Sequence, residues 1–213
     1  MLNNNFFHGV KSKKSFSLIE LIFVIVLIGI ISSAIIPQTQ ISKLNLAANK
    51  IILYLNYTRY IAHIDNKHNI EDDEWEKKRW TLKFQRCSST TGGLYYVVYS
   101  DTSGGTAHFK KAETLKDPLS NKYLYSGYDC ENSYDESKYI LLTKEFGVNK
   151  VDVSCNTTSS IGQISFGYDG KIYSNLGTTP KQIEESCRIK LFDKNNEFVT
   201  ISIEPNTGYI KKL

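Results

Sequence analysis

Lys13-Lys14-Ser15-Phe16-Ser17-Leu18-Ile19-Glu20-Leu21-Ile22-Phe23-Val24-Ile25-Val26-Leu27-Ile28-Gly29-Ile30-Ile31 decides how the rest of this 213-residue chain is read. Two lysines precede an apolar run that continues through Ile35-Ile36 and stops at Pro37. A helix from Phe16 to Ile36 would reach roughly 30 Å at about 1.5 Å per residue, which matches the hydrocarbon thickness of a bilayer. One charge sits near the start of that run, Glu20. A carboxylate among aliphatic side chains is costly unless it is neutralised or paired, so Glu20 asks for a specific partner. Lys11, Lys13 and Lys14 flank the run on one side only, which keeps the N-terminus cytoplasmic and sends the C-terminal bulk outward. An ordinary secretory signal would have a shorter apolar core and a small-residue cut after it. Ser32-Ser33-Ala34 imitates such a site, but Glu20 argues against it.

Beyond Pro37 a helical period resumes. Ile41, Leu44, Ala48, Ile51, Leu55 and Ala62 recur at three- and four-residue steps and fall on one face, while Lys43, Asn45, Asn49, Lys50, Asn56 and Arg59 fill much of the remainder. The pattern predicts one long helix from about Ser17 to Ile64. It should bend near Pro37, where a backbone hydrogen bond is missing. Residues 16–37 form its membrane-spanning half and 38–64 its amphipathic continuation, whose stripe a sheet should cover.

Residues 65–213 read as a β-rich globular domain, so the fold class is α+β. Asp65 to Arg79 is a charged connection, read as solvated, with contact between subunits as the sharper alternative. Trp80-Thr81-Leu82-Lys83-Phe84-Gln85 and Leu94-Tyr95-Tyr96-Val97-Val98-Tyr99 read as strands around the turn Thr91-Gly92-Gly93. Residues 106–149 are Tyr-rich and polar and predict an irregular insertion, with short strand candidates at Leu124 and Tyr139-Ile140-Leu141-Leu142. The last third predicts hairpins. Gln163–Phe166 pairs with Lys171–Tyr173 across Asp169-Gly170, Arg188–Phe192 pairs with Phe198–Ile203, and Tyr209-Ile210-Lys211 closes the chain.

The chemistry is sparse. No Gly-x-Ser-x-Gly, His-Glu-x-x-His, phosphate loop or dinucleotide fingerprint is present, and the chain reads as no enzyme and as needing no cofactor or metal. His8, His63, His68 and His108 lack the spacing of metal ligands. Asp193, Asn195 and Glu197 alternate in a way that offers oxygens to calcium, yet they lack the glycine and ligand count of a calcium loop and read as a hairpin turn. Net charge is only +4, which does not announce a nucleic-acid binder. The basic pairs Lys110-Lys111 and Lys211-Lys212, with Tyr173 and Tyr209 near in sequence, are the positions where DNA contact would fall. Cys87, Cys130, Cys155 and Cys187 contain no Cys-x-x-Cys pair. In an exported domain they allow two disulfides in three pairings. Closure entropy leans to Cys87–Cys130 with Cys155–Cys187, and buried free thiols are the alternative.

Phe16-Ser17-Leu18-Ile19-Glu20 before a long aliphatic run resembles the cleavage and methylation segment of type IV prepilins and type II secretion pseudopilins. The resemblance implies a leader of residues 1–15 cut between Ser15 and Phe16, methylation of Phe16, and pairing of Glu20 with the N-terminal amine of a neighbouring subunit. It also implies a helix bend at Pro37. The family's residue before the cut is Gly; here Ser15 keeps only the small size. Implied partners are a prepilin peptidase, other pilin or pseudopilin subunits and inner-membrane lipid, with the domain in the periplasm. The last fifty or so residues are similar to H-type minor pseudopilins and their transformation-pilus relatives. The implied function is a minor structural subunit of a type II secretion or pilus-like filament. A DNA-binding pilin for natural transformation and a singly anchored periplasmic enzyme or adhesin are the alternatives.

Overall fold

The computed structural model describes residues 17–35, 42–103, 109–156, 160–174 and 180–213. The chain divides into two compact units, Met1–Ile41 and Ser42–Leu213. In the first, α1 covers Leu18–Ile35, and the side chains described from Leu18 to Ser32 are all exposed. A helix that is apolar all round needs surroundings as apolar as itself. Among the described residues no helix is long and apolar enough to cross a membrane. The 18 residues of α1 rise about 27 Å, and the apolar run of the sequence goes on to Phe16 and Ile36, outside the described residues.

In the second unit α2 covers Lys43–Ile64. Ser42 is extended (φ −52°, ψ 129°), so the helical pattern forms two helices rather than the single bent helix expected from Ser17 to Ile64. A serine here sits where a helix starts, and its carbonyl accepts the first intrahelical bond, from Leu46 N–H at 3.1 Å. Pro37 and Ile41 lie outside the described residues. The expected stripe is buried at Leu44, Ala48, Ile51, Leu55 and Ala62, and Ala47, Tyr54 and Thr58 widen it. Each fully buried aliphatic side chain there contributes about 1.5–3 kcal/mol, and the small Ala47 and Ala48 let the strands approach closely.

α2 packs against two antiparallel sheets. The first runs in the order β2-β1-β4-β5-β6, where β1 is Trp80–Arg86, β2 Leu94–Tyr99, β4 Gly162–Phe166, β5 Ile172–Ser174 and β6 Lys181–Gln182. The second runs β3-β7-β8-β9, from Lys150–Val153, Cys187–Phe192, Phe198–Ile203 and Ile210–Lys212. β4–β5 and β7–β8 are the hairpins read from the turns.

The residues between β2 and β3 differ most from expectation. Tyr139-Ile140-Leu141-Leu142 is not a strand: Lys138–Ile140 is a 3₁₀ turn and Leu142–Phe146 is a short helix, α3, ended by Gly147 in the left-handed region at φ +72°. Four apolar residues carry too little period to separate the two states. This stretch covers the edge strand β2, which is buried at every position. Leu115 N–H donates to the Val98 carbonyl at 2.8 Å, Val98 N–H donates to Leu124 at 3.2 Å, and Phe109 lies 4.2 Å from the Tyr99 ring. A covered edge cannot template pairing with another chain. A disulfide from Cys87 to Cys130 staples the cover to the end of β1, and a second joins Cys155, just past β3, to Cys187 on β7.

The basic residues of the connection after α2 are paired within it. Lys78 pairs with Asp72 at 2.6 Å, Lys77 with Glu74 at 2.5 Å and Arg79 with Glu76 at 3.2 Å. The buried Arg79 guanidinium lies between Trp75 and Tyr173, 4.6 and 3.9 Å from their ring centres. Trp80 Nε1–H donates to Asp65 at 2.9 Å, tying the end of α2 to β1.

Candidate functional site

The residues that carry the sequence motif meet at the N-terminus of α1. Ser17 N–H donates to Glu20 Oε2 at 3.1 Å, and Glu20 N–H donates to Ser17 Oγ at 3.3 Å. This reciprocal pair is a capping box, in which a serine and a glutamate three residues on satisfy two amides that a helix start leaves without acceptors. Ser-x-x-Glu in front of an apolar run is the sequence signal for it, and it gives Glu20 a local role beside the assembly role expected from the motif. The helix dipole adds to the effect, because its positive end lies beside the carboxylate. Glu20 is therefore partly compensated by its own backbone. One accepted hydrogen bond leaves most of the lone pairs of the two oxygens free, so the carboxylate keeps capacity for an ammonium group. Ser15 and Phe16, the cleavage and methylation residues, and Pro37 lie outside the described residues.

The basic positions singled out for DNA contact do not converge. Lys111 bonds Asp135 and Glu136, both at 2.8 Å, and those carboxylates hold its ammonium well above the ordinary lysine range. Lys211 lies 3.8 Å from Glu204, while Lys212 reaches back to the Asn45 and Asn49 side-chain oxygens at 3.3 and 3.5 Å. Tyr173 is taken up in stacking on Arg79.

The histidines within the described residues serve contacts. His63 Nδ1 is 2.5 Å from the Tyr168 carbonyl oxygen and must donate to it, and His68 packs edge-on against Trp75. Asp193 closes its hairpin turn by accepting from the Asn195 and Glu197 amides at 2.8 and 2.9 Å. A groove of about 440 Å³ runs between Arg59, Tyr60 and His63 of α2 and the turns at Asp169-Gly170 and Asn206-Thr207. Arg59 is bonded to the Gly208 carbonyl beside it, and the Nδ1 of its His63 is taken up by the Tyr168 carbonyl.

Residues 10–36 match the family model of the prokaryotic N-terminal methylation motif. The match supports a pilin-type protein that is processed by prepilin peptidase and carries a membrane-associated N-terminal anchor. No curated protein and no solved structure matches the chain.

Proposed function

We propose that the chain is a minor pilin or pseudopilin, an initiating or tip subunit of a short filament used in type II secretion. It is held in the inner membrane by α1, with the Ser42–Leu213 unit in the periplasm. Prepilin peptidase cuts between Ser15 and Phe16, and Phe16 is methylated. The observation that carries this reading is the methylation motif over residues 10–36, with Ser17 and Glu20 locked at the start of an apolar helix. The α+β architecture, a helix laid on antiparallel sheets, is pilin-like and supports it. Assembly proceeds by close packing of the apolar helices in lipid, where a polar pair sets the register. Glu20 pairs with the processed amine of the adjacent subunit, and the two charges cancel where each alone is costly. The chain is a substrate of the processing enzyme and performs no chemistry itself. Both disulfides suit an oxidising compartment.

Mass spectrometry of the protein from cells with an active prepilin peptidase tests this directly. The expected polypeptide begins with N-methylated Phe16. A chain that keeps Met1 to Ser15 in such cells would overturn the reading and leave a tethered domain.

A further inference from the structure

We propose that the end of the Ser42–Leu213 unit at which the chain enters is a docking surface for an anionic membrane. Its rim is formed by Lys43, Lys150, Lys190, Lys194 and Lys212 around the exposed ring of Phe198. The inference rests on α1 as a membrane anchor and adds a second, peripheral contact to it.

Three observations place Lys150, Lys190, Phe198 and Lys212 at this end, and Lys43 and Lys194 join them as chain neighbours of Asn45 and of the β7–β8 turn. Arg59 Nη1 reaches the Gly208 carbonyl at 3.5 Å, and Lys212 reaches Asn45 at 3.3 Å, so β9 runs along α2 from its last turns back to its first. β8 is antiparallel to β9 with Ile201 opposite Lys212. Phe198 therefore lies three residues, about 10 Å, farther toward the start of α2. Across the sheet, Phe198 faces Phe192 and Phe192 faces Lys150, which puts all three in one row. The Lys150 ammonium sits 5.1 Å from the Phe192 ring centre and that of Lys190 sits 5.5 Å from Phe198.

Five lysines at this end outnumber the three carboxylates beside them, Asp152, Asp193 and Glu197, so the patch keeps a net positive charge. Among the described residues Lys43, Lys150, Lys190 and Lys194 have no ion-pair partner. The carboxylates nearest in register and sequence are Asp152, opposite Lys190, and Asp193 and Glu197 of the turn. Asp193 is engaged by two backbone amides. Phe198 is 57% exposed, an apolar ring flanked by ammonium groups. Ammonium groups on apolar stems around an aromatic side chain match the boundary between acidic headgroups and acyl chains. A single-stranded nucleic acid would use the same chemistry. The membrane is favoured because the cations gather where the chain arrives from the anchor, with only residues 36–41 between Ile35 and Ser42. Weak docking suffices there, since tethering raises the effective concentration of the surface.

The test uses the Ser42–Leu213 fragment, which contains every buried core residue among the described residues and both disulfides. It should co-sediment with vesicles of phosphatidylglycerol and phosphatidylcholine, release as salt rises, and ignore phosphatidylcholine alone. Lys150→Gln and Lys190→Gln should each weaken binding about fivefold, and together about twenty-five-fold. Phe198→Ser should weaken it while leaving the salt dependence unchanged. In the full chain held in nanodiscs, amide exchange over 190–200 should slow when phosphatidylglycerol replaces phosphatidylcholine. Equal binding to both lipids, no binding, or tighter binding of an oligothymidylate than of vesicles would each overturn the proposal. If carbonate strips the full chain from membranes, the anchor reading itself fails. If the full chain resists carbonate while the fragment ignores acidic vesicles, only the docking surface is lost.

Discussion

Replacing Cys87 and Cys130 together with alanine tests how the irregular segment between β2 and β3 is held. The disulfide closes a loop of 43 residues, and the Cys155–Cys187 bridge closes one of 32. In the chain-entropy description these closures remove about 4 and about 3.7 kcal/mol of unfolded-state freedom. A domain of ordinary stability holds about 5–15 kcal/mol in total, so either loss is a large fraction of it. The two losses should be similar in size and different in place. Without Cys87–Cys130 the cover over β2 keeps its hydrogen bonds through Leu115, Leu124, Tyr139 and Thr143 and the Phe109–Tyr99 contact but loses its covalent tie, and the amides of β2 should open first. The assay is urea unfolding of Ser42–Leu213, followed by fluorescence of Trp75 and Trp80, with hydrogen exchange to localise the opening. A loss below about 1 kcal/mol, or unchanged protection of β2, would refute the role given to this staple.

Glu20→Gln keeps a side chain able to complete the capping box with Ser17 but removes the charge, whereas Glu20→Ala removes both. Both variants should fractionate with membranes and be missing from purified filaments, and wild-type incorporation of the glutamine variant would refute ionic pairing. Burial pushes the Asp65 carboxyl up, but hydrogen bonds from Lys67 and Trp80 outweigh it and hold it below its ordinary 3.8. The stability Asp65 adds is therefore present above about pH 4 and lost as pH falls through the lowered value, so Asp65→Asn should flatten the acid limb of a pH–Tm curve. Burial pushes the phenols of Tyr54 and Tyr95 up to about 12, and raises those of Tyr96 and Tyr99 as well. These four neutral phenols cost stability as pH rises above the ordinary 10. In an alkaline titration followed by tyrosinate absorbance they should ionise only with the unfolding step, and gradual ionisation of the folded protein would contradict their burial.

Local chemistry alone determined much of this protein. The buried stripe of α2 follows from apolar residues at three- and four-residue steps, and the β7–β8 pairing follows from alternation on either side of a polar turn. The motif at Phe16–Glu20 lies within five adjacent residues, and Ser17 with Glu20 encodes its own cap one helical turn apart. All of these depend on neighbours along the chain, where period and spacing speak directly. Tertiary structure decided the rest. Tyr139–Leu142 became a turn and a helix because its short apolar run met β2, with the Tyr96 hydroxyl donating to the Tyr139 carbonyl. Lys111 looked like free positive charge until the fold brought Asp135 and Glu136 to it, 24 and 25 positions away. Lys150, Lys190 and Phe198 share a surface only because β3 pairs with β7 and β7 with β8. Contacts of that kind are set by which strands find each other once the core has formed, and no short window of residues contains that information.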